Sequence, residues 1–271
     1  MADASRVLRF VDGHVAFRPR PDDVWVATYP RSGTTLMQYL LHRLRGGDDD
    51  FDHIGRVVPW YERDLAIGRR TPSDLDDLDG PRIFKTHLPA RWVPRGGRTI
   101  YIERDGRDVA VSYFHLYREY LGFRGSFDDF FARFLAGDLQ YRSYFRHVAG
   151  WRERAEDPDA LWLDFEELRS DRRATVERVV GFLGWDVSAS RIDEVVAATQ
   201  FDAMKRLESK FDHATSRLLE LGVRPGRFLR RGASGDGRAQ LSAAQQQALQ
   251  RQYEVAVAGD DRPWDLPAFL H

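Results

Sequence analysis

The sequence predicts an α/β fold in a single domain over residues 1–271, with a mostly parallel central sheet flanked by helices. Strand-like and helix-like segments alternate along the chain, and two of the strand-like segments lead through a polar turn directly into a helix. No repeat, low-complexity tract or linker-like boundary interrupts this order. Such alternation is typical of parallel strands joined by helices, and the chain is long enough for one large domain with a substantial core.

The first strand and the first helix enclose a polar turn. Val24–Thr28 is a short apolar run rich in β-formers, and apolar residues then recur at helical spacing from Leu36 to Leu44, until Gly46 and Gly47 end the helix. The same patterns predict strands at Pro81–Thr86, Arg98–Glu103 and Leu161–Phe165, and helices at Gly106–Tyr120, Phe127–Ala136, Tyr141–Ala155, Ala174–Leu183, Arg191–Ala198 and Ser242–Ala258.

The sequence changes in character ahead of the last predicted helix. Residues 209–240 have few periodic apolar side chains and many Gly and Arg residues, so we expect a long loop there. Loops of this length in compact domains are usually functional or disordered.

Composition excludes several classes of function. With 41 Lys and Arg against 42 Asp and Glu, the net charge is −1, so no global field favours nucleic acid or a membrane surface, and any anion site must be local. The chain has no cysteine and no apolar run long enough to span a membrane, and its first ten residues lack the apolar stretch expected of a signal peptide. We also find no His-x-x-x-His pair and no acidic loop with calcium spacing. We therefore expect a cytoplasmic protein without a metal site.

The turn after the first strand reads Thr-Tyr-Pro-Arg-Ser-Gly-Thr-Thr over residues 28–35. It departs from the phosphate loop of nucleoside triphosphatases, because Thr28 replaces the first Gly and Thr34 replaces the Lys. Its chemistry still suits an anion, since Gly33 permits close backbone approach and the next helix begins with free N–H groups. Polar side chains add further donors: Arg31, Ser32, Thr34 and Thr35. This predicts a P-loop-like nucleotide-binding architecture; the alternative is an ordinary turn whose hydroxyl groups cap the helix.

A second polar turn, residues 104–108, follows the strand Arg98–Glu103 and opens another helix. Ligands of open α/β sheets bind at the carboxyl ends of the strands, so the two turns can line one crevice. A dianionic phosphate there could be bound by Arg104 and by the hydroxyl of Ser112. The alternative is that Asp105 or Asp108 caps the helix while the arginines stay solvated.

Lys85 and His87 lie two residues apart at the end of the strand Pro81–Thr86, which places them on one face. A cation that stabilises developing charge, beside an imidazole that accepts a proton, is suited to group transfer to a hydroxyl or an amine.

Taken in order, these segments resemble the cytosolic-type sulfotransferases, which use 3′-phosphoadenosine-5′-phosphosulfate (PAPS) as sulfuryl donor. TYPRSGTT at 28–35 is similar to the family's TYPKSGTTW, and KTHLP at 85–89 matches as it stands. Further matches are ERDGRDVAVSYFHL at 103–116 with RNPKDVAVSYYHF, FLRRGASGDGR at 228–238 with FMRKGxxGDWK, and the weaker LWLDFEEL at 161–168 and TQFDAMK at 199–205. The resemblance therefore spans nearly the whole chain.

The resemblance implies a role for each matching residue. His87 would be the general base, Lys85 would contact the transferring sulfuryl group, and Arg31 would follow the charge onto the leaving phosphate oxygen. The 5′-phosphosulfate would lie in the loop of Arg31, Ser32, Gly33, Thr34 and Thr35. The 3′-phosphate would be held by Arg104, Ser112, Arg230, Arg231 and Gly232, and the adenosine by Phe165, Thr199, Phe201 and Met204. The product would be adenosine 3′,5′-bisphosphate (PAP).

The acceptor is expected to be a small molecule with an aromatic or polycyclic body, because aromatic residues are dense between Tyr113 and Phe145. Most of them should be core, since helical aromatic stripes usually are. His115 falls in this segment and His147 lies two residues after it; both could line the acceptor pocket, although a structural role is the simpler interpretation.

The sequence departs from the family pattern at several positions. Arg31 replaces the loop Lys, Leu36 replaces the aromatic after the loop, Phe165 replaces a Tyr, and Gly237 replaces the Trp of GDWK. These changes leave two alternatives open, a catalytically silent nucleotide-binding relative and a P-loop kinase, and Thr34 in place of the kinase Lys disfavours the latter. The family's dimer signature, KxxxTVxxxE, keeps only charge and polarity here, so we expect a monomer or a weak homodimer. It falls on Arg238, Ser242, Ala243 and Gln247.

Overall fold

The computed structural model describes residues 4–212 and 236–259. Within them, four strands form one sheet: β1 (Val24–Thr28), β2 (Ile83–Thr86), β3 (Arg98–Glu103) and β4 (Ala160–Asp164). Their order across the sheet is β2-β1-β3-β4, and all three neighbouring pairs are parallel. The predicted α/β class with a parallel central sheet is confirmed.

Helices connect the strands. In chain order they are α1 (Ala4–Ala16), α2 (Thr34–Leu44), α3 (Ile54–Val57), α4 (Tyr61–Ala66), α5 (Pro72–Asp76), α6 (Gly106–Tyr120), α7 (Phe127–Ala136), α8 (Tyr144–Arg152), α9 (Phe165–Ser170), α10 (Arg172–Leu183), α11 (Ala189–Ala198), α12 (Phe201–Arg206), α13 (Asp236–Gln240) and α14 (Ala243–Val257). Short 3₁₀ turns lie at Ala90–Trp92 and Glu208–Lys210. In the part of the chain that the structure describes, no helix is long and apolar enough to cross a membrane.

Both faces of the sheet are covered. Val24 and Val26 of β1 belong to an apolar cluster with α2, α10 and α11, whereas Trp25 and Ala27 belong to a second cluster with α1 and α4. The alternation arises because successive side chains of a strand point to opposite faces. Since both faces are buried, every residue of β1 is buried, and the strand reads as an uninterrupted apolar run.

A third apolar cluster joins α6, α7 and α8. It contains Tyr113, Phe130, Phe134 and Tyr144, packed with Tyr29 from the turn after β1. The aromatic stripes of these helices are thus mainly core, as their helical spacing predicts.

The sheet brings the polar turns of the sequence to one edge. In the register, Ala27 pairs with Thr86 and Thr28 with Ile102, so β1, β2 and β3 end side by side. The segments that follow these strands, 29–35, 87–89 and 104–108, therefore begin at the same edge, where open parallel sheets bind their ligands.

Some boundaries differ from the sequence prediction. Strand β4 ends at Asp164, whose carboxylate accepts hydrogen bonds from the N–H groups of Glu166 and Glu167, so Phe165 opens α9 instead of closing the strand. Residues 236–240 form helix α13, and a loop there was the wrong prediction, because this segment docks on α6. Residues 213–235 of the predicted loop lie outside the described residues.

Candidate active site

The loop between β1 and α2 has the backbone geometry of an anion cradle. Arg31 and Gly33 have φ angles of 72° and 93°, both in the left-handed region, which is uncommon for a residue with a side chain. Gly33 is required there for a second reason, because a Cβ atom would lie 2.7 Å from the Phe165 ring. Gly33 also stands at the N-cap of α2, which has no side-chain cap within the described part of the chain. The first N–H groups of α2 are therefore available to a ligand.

The alternative interpretation of this loop required its hydroxyl groups to cap α2, and no side chain of the described residues caps that helix. The Thr34 hydroxyl lies 2.7 Å from the Thr28 hydroxyl instead. Ser32 is 1% exposed, and its Oγ has no hydrogen-bond partner among the described residues. A buried hydroxyl without a partner is costly unless a ligand or water supplies one, so Ser32 fits an anion in this loop.

The two polar turns meet. The Nε of Arg31 donates to the Ser112 Oγ at 3.0 Å, and an Nη of Arg104 donates to the Arg31 carbonyl oxygen at 2.9 Å. The guanidinium of Arg104 also lies 4.4 Å from the centre of the Phe165 ring. The structure thus brings together Arg31, Arg104, Ser112 and Phe165, which the sequence assigned to two phosphates and to the adenosine.

The acidic residues of the second turn are structural. Asp105 caps α6 by accepting from the Arg107 N–H, and Asp108 accepts from the Gly237 N–H at 2.8 Å. A Cβ atom at position 237 would overlap the backbone of Arg107. This close approach leaves no room for a side chain at Gly237, the position where the family pattern has Trp.

His87 is oriented by the end of β1. Its Nδ1 lies 2.8 Å from the Thr28 carbonyl oxygen, which can only accept a hydrogen bond, so Nδ1 carries the proton and Nε2 is the acceptor of the ring. Burial, reinforced by the charge of Lys85, lowers the pKa of His87 well below its usual value. The imidazole is therefore neutral and able to accept a proton at neutral pH.

Lys85 is buried against an aromatic ring. Its Nζ lies 3.6 Å from the centre of the Trp60 ring. Burial lowers the pKa of Lys85 to about 7, while the neighbouring Glu62 opposes that shift. The amine thus changes charge near neutral pH.

The surroundings of His87 include residues that sequence reasoning missed. The rings of Trp60 and Tyr141 meet the imidazole nearly edge-on, with centroids at 5.3 and 5.0 Å. The carboxylate of Glu62, which is fully buried, accepts the backbone N–H of His87 at 2.9 Å. The available signal was a carboxylate directly after the apolar run Val57–Tyr61, since buried carboxylates are rare unless they are paired.

His147 supports the site from within the core. Its Nε2 lies 3.2 Å from the His87 carbonyl oxygen and its Nδ1 lies 3.1 Å from the Tyr101 hydroxyl. Burial lowers the pKa of His147 to about 3, so the ring is neutral. With 1% exposure it is a structural residue. His115 is partly exposed and contacts the neighbouring Phe114 ring.

The residues assigned to adenosine occupy different environments. Met204 is buried in the apolar cluster against which Leu36 and Phe165 pack. The Thr199 hydroxyl donates to the Val195 carbonyl oxygen of its own helix. Phe201 begins α12 and is partly exposed. Arg230, Arg231 and Gly232 lie outside the described residues.

The described residues contain no group of three or more His, Asp or Glu side chains arranged to hold a metal ion. The anion site is instead built from cations, hydroxyl groups and a helix start.

Comparison with known proteins gives consistent results. The family model described as "Sulfotransferase domain" matches residues 21–261. Human Sulfotransferase 1E1 is 30% identical over 259 residues, covering 91% of this chain and 87% of that protein. Human Sulfotransferase 2B1 is 34% identical, covering 91% of this chain and 69% of that protein.

Solved structures share the fold. A retinol dehydratase in complex with androsterone and the inactive cofactor PAP gives a TM-score of 0.78 at 24% identity, over 95% of this chain and 88% of that one. Mouse sulfotransferase SULT7A1 complexed with PAP gives 0.71 at 24% identity, over 95% of this chain and 91% of that one. The chain belongs to the sulfotransferase family, the enzymes that transfer a sulfuryl group from PAPS to an acceptor.

Proposed function

We propose that this sulfotransferase moves the sulfuryl group of PAPS to a hydroxyl group of a small or medium-sized aromatic or polycyclic acceptor, with His87 as general base. The observation that carries the proposal is the orientation of His87. Its Nδ1–H is held by the Thr28 carbonyl, so Nε2 is presented as an acceptor at the sheet edge that also forms the anion loop.

The donor site follows from the anion loop. When bound, PAPS supplies an activated sulfuryl group and leaves as PAP. The N–H groups at the start of α2, the Ser32 hydroxyl and Arg31 would hold the 5′ end. Arg104 and Ser112, which the Arg31 side chain and backbone already connect, would hold the 3′-phosphate.

Residues of the chain accept the proton and stabilise the charge during the transfer. As the acceptor oxygen bonds to sulfur, its proton passes to Nε2 of His87, and the Nδ1–H bond to Thr28 stabilises the imidazolium that forms. The cations of Lys85 and Arg31 stabilise charge that develops on the transferring and leaving groups. A transferring sulfuryl group carries less negative charge than a phosphoryl group, so these cations can act without a metal ion.

The acceptor class is supported by the aromatic wall at His87. Trp60 and Tyr141 lie nearly parallel, with an interplanar angle of 18°, and both contact the imidazole. Flat apolar rings of this kind favour an aromatic or polycyclic body. Solved structures of retinol dehydratase hold androsterone or retinol, which agrees with a small-molecule acceptor.

A thermal-shift panel followed by turnover tests the proposal. We expect stabilisation by PAP without added metal, and sulfation of phenols or hydroxylated polycycles in the presence of PAPS. Stabilisation by PAP without turnover of any member of a broad acceptor library would favour the silent relative and contradict the proposal. A response to ATP that requires Mg²⁺, without a response to PAP, would contradict the donor assignment.

Four expectations stay predictions: the cytoplasmic location, the single domain, the monomeric or weakly dimeric state, and the lack of nucleic-acid and membrane partners.

A further inference from the structure

One oxygen of a buried carboxylate connects the proposed base to the acceptor wall. The Oε1 of Glu62 accepts the backbone N–H of His87 at 2.9 Å and the indole N–H of Trp60 at 2.7 Å. Glu62 is the second residue of α4, whereas His87 follows β2, so this contact joins segments that are 25 residues apart.

The bond from the His87 N–H is buried, and the bond from the partly exposed Trp60 indole is part-buried. Glu62 is 0% exposed and His87 is 4% exposed. Bonds from N–H groups to a carboxylate are shorter and stronger than those between neutral groups, and burial removes the competition from water. Such bonds are suited to fixing positions.

The two donors held by Glu62 belong to the residues that surround the reaction. The Trp60 ring lies 3.6 Å from the Lys85 Nζ and meets the His87 ring edge-on. The peptide of His87 is also held on its other side, where His147 lies 3.2 Å from its carbonyl oxygen. A shift of the Trp60 indole or of the His87 peptide would therefore displace the imidazole relative to Lys85.

We propose that Glu62 is a positioning residue of the sulfuryl transfer: through Oε1 it fixes the His87 peptide and the Trp60 indole relative to each other. This inference rests on the proposed function, because it takes His87 as the base. Glu62 contacts neither the anion loop nor Arg104 in any described hydrogen bond, so its effect should fall on turnover and on acceptor use, not on the nucleotide.

The experiment compares two changes at Glu62. Glu62→Leu removes both acceptor oxygens, and we expect kcat to fall by roughly 10- to 100-fold, the effect of misplacing a reacting group by about 1 Å. Glu62→Gln keeps one oxygen that can accept both N–H groups, and we expect it to restore most of the lost kcat. All variants are compared at the pH where each is most active, because the loss of a carboxylate charge near Lys85 also lowers the pKa of that amine. PAP affinity should change by less than about 3-fold in both variants.

Asp64→Asn is the matched control. Asp64 lies on the same helix, is 1% exposed and pairs with Arg69 at 3.4 Å, so its replacement also removes a buried carboxylate charge near Lys85. We expect its kcat to stay within about 3-fold of the parent. If Glu62→Leu does not fold, Trp60→Phe keeps an aromatic ring but removes the indole donor and part of the ring surface, and it should raise the acceptor KM and lower kcat by a smaller factor.

The acceptor series distinguishes positioning from simple damage. If Glu62→Leu misplaces the base, its kcat penalty should shrink for acidic phenols that react as their anions, in parallel with the penalty of His87→Asn. A wild-type kcat for Glu62→Leu, or a loss in Glu62→Gln or in Asp64→Asn as large as that in Glu62→Leu, would overturn the inference. If His87→Asn itself shows a constant penalty across the series, the base assignment fails instead, whatever Glu62 does.

Discussion

Replacing Arg104 with Ala should weaken the binding of PAP far more than that of adenosine 5′-phosphate. The guanidinium makes two contacts within the protein, a hydrogen bond to the Arg31 carbonyl oxygen at 2.9 Å and stacking on the Phe165 ring at 4.4 Å. Their loss should weaken the binding of both nucleotides. Each contributes on the order of 0.5–1.5 kcal/mol, and both stabilise the loop rather than the 3′-phosphate directly.

The charge-assisted hydrogen bond to the 3′-phosphate is lost for PAP alone. It contributes about 1.5–3 kcal/mol, so the ratio of PAP to adenosine 5′-phosphate affinity should fall by roughly 10- to 150-fold. Isothermal titration of both ligands against the parent and the Arg104→Ala variant gives this ratio. Arg104→Lys serves as control, because it keeps the charge and loses the planar fork. Equal losses for both nucleotides would show that Arg104 only supports the loop.

Two further predictions concern the cations that face the donor. Arg31→Lys restores the family residue and should leave PAP affinity within a few-fold while changing the turnover rate, whereas Arg31→Ala should reduce turnover strongly; an Arg31→Ala enzyme with full activity would remove this residue from the mechanism. Because burial lowers the pKa of Lys85 to about 7, the rate should decline as pH rises through about 7 and Lys85 loses its proton. Lys85→Arg should move that decline to higher pH, and an unchanged profile would contradict the role of this cation.

The elements that the sequence predicted best are those whose local signals agree. Strand β1 and helix α7 have the predicted bounds, because Val24–Thr28 is a continuous apolar run and Ser126 with Asp129 forms a capping box ahead of the aromatic stripe. The boundary at Phe165 was missed because an aromatic residue after an apolar run is typical of a strand. That Asp164 caps a helix is visible only in the structure, where its side chain accepts hydrogen bonds from the first N–H groups of α9.

The residues of the candidate site likewise fall into those that the sequence identified and those that it missed. Arg31 and Arg104 were identified because each lies in a turn directly after a strand of one parallel sheet, and the topology brings such turns together; Ser112 lies in α6, the helix that follows the second turn. Glu62 and Trp60 were missed because their contacts with His87 and Lys85 join α4 to the end of β2, and no local pattern encodes a contact of that kind. The role of His147 was open for the same reason, since only packing shows that it supports the His87 peptide.

The central claim is that His87 accepts the proton of the acceptor hydroxyl. The most direct measurement is turnover of the parent and the His87→Asn variant across phenols of increasing acidity. The Asn amide can still donate to the Thr28 carbonyl oxygen, so PAP should bind nearly as before.

For weakly acidic phenols, the variant should lose roughly 10²–10⁴-fold in turnover, the usual contribution of a positioned general base. The loss should shrink for nitrophenols, which react as their anions and need no base. A penalty that stays constant across the series would contradict the assignment and leave His87 with a positioning or electrostatic role.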